Sequence, residues 1–536
     1  MKKFDIFIIL IDVILVLLFY YFALPPINLS SPEFWTYAFM ICIIVFVSIV
    51  LRNNAKLLID KHLNIKLFSV YKWFFIVVAS IILVIGAINL FSTPLFNAKE
   101  YSERIKVDDT HEFTSDVKEV DFTKIPLIDR ASSQKLGDRK MGEFTSWVSQ
   151  FYVSDLYTQI NYNNEIVRVT PIEYDGIIKY FTNRDEGVKG YIKVDSVTGS
   201  ASLVDLSDGM RYLPSAYFFE NLYRKLRIDY PTTIFDEASF EVDNDGNPYW
   251  VVPTIKYKGI GMKKEINGVV VLNAINGESK KYNINEVPTW IDHVYSADLI
   301  IEQIDNWGEY RNGFFNSIFG QKDVINTTEG YNYLVMDDDV YLYTGITSVS
   351  SDESNLGFVL VNMRTKETNY YLVPGAEEYS AMASAEGLVQ EKKYVASFPL
   401  LINLNNKPTY LLSLKDNAGL VKMYAFIDVA DYQKVVVSDA SLGIEVAAEK
   451  YLGEEINTNN GEILTKTIEI KNISNAVIDG NTYYYIVSKD NELFSASIKV
   501  NKNILPFLKS GDIIDISYNE SVISNIITLE KGKNNE

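Results

Sequence analysis

Three long apolar runs, Phe4–Leu24, Phe34–Leu51 and Trp73–Phe91, dominate the start of the chain, and no later stretch matches their length. At about 1.5 Å per residue, a helix over Trp73–Phe91 spans a hydrocarbon core about 30 Å thick. Pro25 and Pro26 end the first run, since a helix interior excludes proline. Lys2 and Lys3 resemble the start of a signal peptide, but no small-x-small cleavage site precedes the prolines, so three spans are expected. The connection 52–72 carries Arg52, Lys56, Lys61, Lys66 and Lys72, whereas 25–33 carries no lysine or arginine. The positive-inside rule then puts the N-terminus in the cytoplasm and residues 92–536 outside it. Trp35 and Tyr37 fit an interfacial belt. Asp12 lies near the cytoplasmic end of the first run, where hydration, Lys2, Lys3 or a partner helix satisfies it better than a proton-relay role.

Beyond the third run the pattern changes twice. Residues 92–143 are polar and mixed in charge, which predicts a stalk with a short helical piece. From Phe144 onward, apolar and polar positions alternate between turn signals, which predicts strands. A strand ending in Asp or Asn, a polar turn and a return strand occurs at 194–200 and recurs at 269–278, 358–367 and, more loosely, 423–431. Helices predicted over Ala216–Arg227 and Tyr379–Gln390 precede two of these copies. A helix laid over such a sheet buries both apolar faces. A helix over Leu442–Leu452 and a polar linker, 454–462, lead to five strands between Thr465 and Leu529 and a small, OB-like barrel. The predicted fold is α+β: three transmembrane helices, repeated helix-on-antiparallel-sheet modules and a C-terminal β-barrel. Its expected parts are a membrane domain (1–91), the stalk (92–143), two α+β regions (144–307 and 308–453) and the barrel (454–530).

The phrase Asp195-Ser-Val-Thr-Gly199, with its variant Asn273-Ala-Ile-Asn-Gly277, resembles the ending of the PepSY family, small extracytoplasmic modules built from a helix and hairpin strands. The resemblance covers about half of the outer part and implies a membrane-linked module that inhibits or regulates envelope proteins.

Net charge is −19, of which residues 1–91 contribute +3 (seven lysines and arginines against Asp5, Asp12, Glu33 and Asp60), leaving −22 on the rest. So acidic a body, without a basic stripe, excludes nucleic acid as a partner. The single cysteine, Cys42, lies in the second apolar run, so disulfides and thiolate metal sites are excluded outside the membrane. A large cysteine-free outer region fits a bacterial envelope protein.

Candidate chemistry concentrates between Val287 and Gly345, the most aromatic stretch. Trp290, Asp292, His293, Trp307, Tyr310 and Arg311 form a candidate binding cleft, in which aromatic rings stack on a sugar or peptide and Asp292 and His293 supply acid and base. The competing reading is a helix over Val294–Trp307 that uses its aromatics as core. Beyond the membrane part only His111 and His293 are available to a metal site or a nucleophilic triad, and no H-E-x-x-H, Walker loop or G-x-S-x-G occurs. Ser132-Ser133-Gln134-Lys135 matches S-x-x-K without its partner motifs. The acidic turns 337–339, 350–354 and 243–247 read as solvated loop tips rather than calcium loops. The expectation is a non-catalytic, membrane-anchored, extracytoplasmic binding, scaffold or regulatory protein of the cell envelope, without cofactor or metal. Its partners are envelope proteins or wall polymers, and its oligomeric state is open. The alternative is a carboxylate-based wall hydrolase with its cleft at 290–311.

Overall fold

The computed structural model describes residues 2–57, 64–109, 111–336, 339–349, 351–452, 464–478, 481–498, 500–502, 504–519 and 522–530. Asp337, Asp338 and Ser350 of the acidic turns, the linker 454–462 and the tail 531–536 lie outside them, as do the side chains of 351–354. The chain forms two compact units, Met1–Ile444 and Glu445–Glu536.

The first unit begins with α1 (Lys2–Ala23), α2 (Pro32–Leu57) and α3 (Asn64–Ser92), each long and apolar enough to cross a membrane. Asp12 on α1 accepts from Ser48 Oγ of α2 through both carboxylate oxygens, each at 2.6 Å, so a partner helix satisfies it. The connection after α1 lies against the globular body. Arg227 Nε donates to Leu24 O (2.9 Å), the Ile27 N–H to Pro231 O (2.8 Å), and the Gly261 N–H to Ser30 O (3.0 Å). At the end of α3, Asn89 Oδ1 accepts the Ile260 N–H at 3.0 Å. The 24–31 connection and the body therefore occupy the same side of the apolar helices.

Residues 92–143 are not a stalk. After α4 (Pro94–Ser102), the segment runs through the body and buries Tyr101, Ile105, Phe113, Val117, Ile125 and Leu127. Arg104 pairs with Glu265 and Glu302 and donates to Lys264 O. Widely spaced apolar positions, too sparse to read as a periodic element, fill gaps between elements formed elsewhere.

Four sheets make up the body and share one antiparallel core connectivity, to which the third adds Val107–Asp108 in parallel and Gly375–Ala376. In each, two short strands pair end to end along one long strand, which continues into a two-strand meander. The short pairs are Phe151–Val153 with Thr158–Tyr162, Ile234–Phe235 with Ser239–Val242, Ile325–Thr327 with Asn332–Met336, and Val395–Ala396 with Leu400–Leu404. A helix precedes each set: α5 (Arg130–Gly142), α6 (Leu222–Asp229), α7 (Ala297–Tyr310) and α8 (Glu378–Leu388). Two of these are shifted from expectation. α6 starts late because Asn221 caps it, accepting from the Arg224 N–H, and α7 runs three residues beyond Trp307, so the expected boundary at 307/308 falls inside a helix.

Neighbouring sheets share cores. Tyr191, Phe240, Trp250 and Val270 belong to a cluster between the first and second, and Val251, Val269, Leu342 and Val359 to one between the second and third. The third meets the fourth through Phe358 and Tyr410, whose rings lie 5.9 Å apart. The fourth returns to the first through α5, where Lys415 pairs with Asp129 and Ser132 Oγ donates to Gly419 O. Each sheet thus meets the next, and the fourth closes back on the first.

Each meander turns on the residue type seen in the repeated phrase. Oδ1 of Asp195, Asn273, Asn362 and Asp428 accepts the backbone N–H groups two and three residues ahead, at 2.8–3.2 Å. Gly199 and Gly277 take the left-handed conformation that follows, and Lys366 takes it without glycine, at φ 64°. The Lys366 ammonium is held meanwhile by Arg104 O (2.9 Å) and Gln303 Oε1 (3.2 Å). Asn362 is buried and also donates to Asp339 at 2.8 Å, so Asn362→Ala should cost about 2 kcal/mol and Asp428→Ala about 1 kcal/mol, read from urea unfolding.

In the second unit, Leu464–Ile478, Asn481–Ser488, Leu493–Ser497, Ile513–Asn519 and Val522–Glu530 close into a barrel. The last strand pairs in parallel with the third and antiparallel with the fourth. Its core includes Ile468, Ile486, Phe494, Ile514 and Ile526.

Candidate functional site

The interruption between the two short strands falls at the same place in every sheet, and those four breaks converge. Asp155–Tyr157, Glu237–Ala238, Tyr331 and Phe398 line one cavity of about 850 Å³. This is within the range of small-molecule sites. Arg130 and Gln134 of α5, Gln159, Arg168, His293 and Asp298 complete much of its polar lining.

Arg168 is the notable group. Its strand, Glu165–Tyr174, is buried on both faces, so the guanidinium is only 5% exposed. Its hydrogen bond is a long one, Nε to Ile128 O at 3.4 Å, and no carboxylate lies within ion-pair distance among the described residues. Burial lowers its pKa to about 10, with the Asp129 charge opposing that fall. Directly across the strand pair stands Gln159, 1% exposed, with neither amide atom hydrogen-bonded. Facing residues in an antiparallel pair present side chains to one side, so amide and guanidinium are neighbours. The Tyr157 hydroxyl, buried against Gly137 behind the lining, also lacks a partner. Polar groups left this way cost stability unless something enters to satisfy them.

Several of the other charged groups are held locally, and Glu237 and Asp298 add two further carboxylates to the lining. Asp129 pairs with Lys415, Asp155 accepts from Gln134, and the Arg130 guanidinium donates to Asp155 O at 2.7 Å. Tyr331 and Tyr333 stack edge to face at 5.6 Å and give one wall an aromatic surface.

His293 lines this cavity, but its intended partners do not. Its Nε2 donates to Gln159 O at 2.7 Å, since a carbonyl only accepts, and its ring meets Tyr333 at 5.5 Å. Burial holds its pKa down at about 4, which keeps the imidazole neutral. Asp292 is 2% exposed and faces away, accepting the Asn161 N–H at 2.7 Å. Trp290 packs on Tyr249 at 5.1 Å, Trp307 on Tyr370 at 6.0 Å, and Tyr310 on Tyr101 at 6.2 Å. Arg311 covers Trp307 and donates to Asp323 O. The six residues sit at opposite ends of α7, about 20 Å apart along its axis, and form no common cleft. Their aromatics are packing, as the helical reading held. The S-x-x-K match is likewise structural: Lys135 Nζ donates to Ala418 O at 2.9 Å, and Ser132 Oγ donates to Gly419 O at 3.3 Å. Asp243 is occupied inside its own turn by Asp245 and Asn247.

Beneath the cavity, Glu241 accepts the Asp292 and His293 N–H groups and the Ser239 hydroxyl. Burial nevertheless pushes its carboxyl up to about 7 from an ordinary 4.5. Its folded pKa is raised, so its contribution is full below pH 4.5 and is lost as pH rises through about 7. The penalty of Glu241→Gln should therefore shrink by about 3 kcal/mol between those limits. His293 has the opposite sign: its folded pKa is depressed, so its contribution is full above pH 6.5 and lost as pH falls through about 4. Unfolding free energies of wild type, Glu241→Gln and His293→Gln, compared across this window, check both signs.

No protein-family model and no curated protein matches the sequence. Among solved structures, a mutant levansucrase of B. megaterium is matched at 8% identity over 78% of this chain and 98% of that one, with a TM-score of 0.16. An ACO/RPE65 chimera gives 7% identity, 68% and 59% coverage and a TM-score of 0.14. A sialidase gives 11% identity, 72% and 45% coverage and a TM-score of 0.14. Likeness at this level carries no argument about fold or activity.

Proposed function

We propose that this is a membrane-anchored, extracytoplasmic binding protein of the bacterial cell envelope, whose ligand enters the central cavity and presents an anionic group to Arg168. The observation that carries the reading is a buried guanidinium with no carboxylate within ion-pair distance among the described residues, beside an unsatisfied amide. A fork of donors in that setting suits a carboxylate or phosphate. The neutral His293 is tied to a backbone carbonyl, and Asp292 is turned away from it, so the geometry favours binding over acid–base turnover. The cationic connection 52–72 supports a cytoplasmic placement on the side opposite the body. Four helix-and-sheet units with the same Asx turn fit PepSY-like modules, and the strand order of the barrel fits an OB-like fold. Both support an envelope role in regulation or scaffolding.

The test is photocrosslinking in intact envelopes with p-benzoylphenylalanine in place of Tyr331, on the cavity rim, with and without Arg168→Met. An adduct that depends on Arg168 supports the reading. Identical adducts from both proteins, or none, sink it, and a ligand recovered cleaved would move the protein to the hydrolases.

A further inference from the structure

We propose that the face of the body through which the apolar helices enter is itself seated in the lipid interface, by two aromatic wings on either side of the anchor. The first wing adjoins the end of α1. There the Arg224 guanidinium sits 4.0 Å over the Tyr21 ring and donates to Phe218 O at 2.6 Å, so Phe218 is fixed beside the emerging helix. Phe181, on the short helix Ile177–Asn183, meets Phe218 at 5.9 Å. Around these rings Ile178 and Phe219 are 74% and 70% exposed.

The second wing adjoins the end of α3. The Tyr101 hydroxyl donates to Ser92 O at 2.9 Å, Tyr101 meets Tyr310 at 6.2 Å, and Tyr310 meets Phe314 at 6.4 Å. This chain of contacts leads from the helix end to Phe315 and Phe319, the latter 79% exposed. Phe96, half exposed, packs on Phe91 of α3 at 5.3 Å and joins wing to span.

Apolar side chains exposed to this degree in contiguous groups mark an interaction surface. Continuity with the spans names the occupant: both wings begin on residues at the ends of transmembrane helices, where the bilayer interface lies. Aromatic rings, with an arginine positioned over one of them, are the side chains that this layer favours. Two separate wings, each tied to a different helix end, hold the body against the membrane at a set tilt. The cavity then keeps one orientation to the lipid surface. The wings share no residue with the cavity, so this inference stands apart from the ligand proposal.

The test uses the full-length protein carrying Cys42→Ser, reconstituted in nanodiscs of phosphatidylcholine and phosphatidylglycerol. Single cysteines replacing Phe219, Phe319 or, as a control, Leu388 on α8 are labelled with a nitrobenzoxadiazole fluorophore. The wing labels should be quenched several-fold more by doxyl lipids than the control, and several-fold less by aqueous iodide. Wing labels as open to iodide as the control would overturn the proposal. Where a wing variant shifts the unfolding midpoint, Ile178→Cys takes its place and is read the same way.

Discussion

Trp250→Ala should be among the most damaging single substitutions in the first unit, costing about 3–5 kcal/mol. The indole is fully buried in the core between the first and second sheets, edge-on to Phe240 at 5.4 Å. Its Nε1 donates to Tyr212 O at 2.8 Å. Truncation leaves a void that the strands on either side cannot close, and it strips that carbonyl of its donor. The orphaned acceptor pushes the cost toward the upper end of the range. Domains carry only about 5–15 kcal/mol in total, so a large share of the margin disappears. Trp250→Phe keeps most of the volume and should cost less than half as much. Urea unfolding followed by near-ultraviolet circular dichroism separates the two. Equal losses would mean that the hydrogen bond, not the packing, holds the two sheets together.

That core also shows what could be read from the chain and what could not. The transmembrane runs are visible because lipid demands length and apolarity from a single continuous segment. The Asx turns are visible because a short side chain must cap its own turn, so Asp195, Asn273, Asn362 and Asp428 carry a local requirement in their identity. The strand breaks carry none. Ser-Asp-Leu-Tyr157, Asp-Glu-Ala238, Thr-Glu-Gly-Tyr331 and Ser-Phe-Pro399 share no residue pattern, and only their position between the two short strands of each sheet makes them equivalent. Their convergence on one cavity is a property of how the sheets stack. The aromatic stretch 290–311 misled for the related reason that composition does not distinguish rings packed on Tyr249 and Tyr370 from rings lining a cleft. One signal was available for the cavity: Ile166-Val-Arg-Val169 places a lone cation inside an otherwise apolar strand, where a buried charge requires a partner.

The partner's absence leads to the other large expected effect. In most proteins, removing one member of a buried charge pair is strongly destabilising, because the other is left uncompensated. Arg168 has no such member within ion-pair distance among the described residues, so Arg168→Met removes a desolvated charge and replaces it with an apolar chain of similar length. Unfolding stability should hold or rise, by about 1–4 kcal/mol where the methionine packs well. Capture of the cavity ligand should fall at the same time by two orders of magnitude or more, since a hydrogen-bonded charge contributes about 2–5 kcal/mol to a complex. Arg168→Lys should restore charge but not the two-pronged geometry, and so recover only part of the binding. A structural arginine makes the contrary prediction, with stability and capture lost together. Opposite signs in the two measurements are what a group held in a strained, unpaired state for a ligand must give, and the pair of variants reads them on the same preparation.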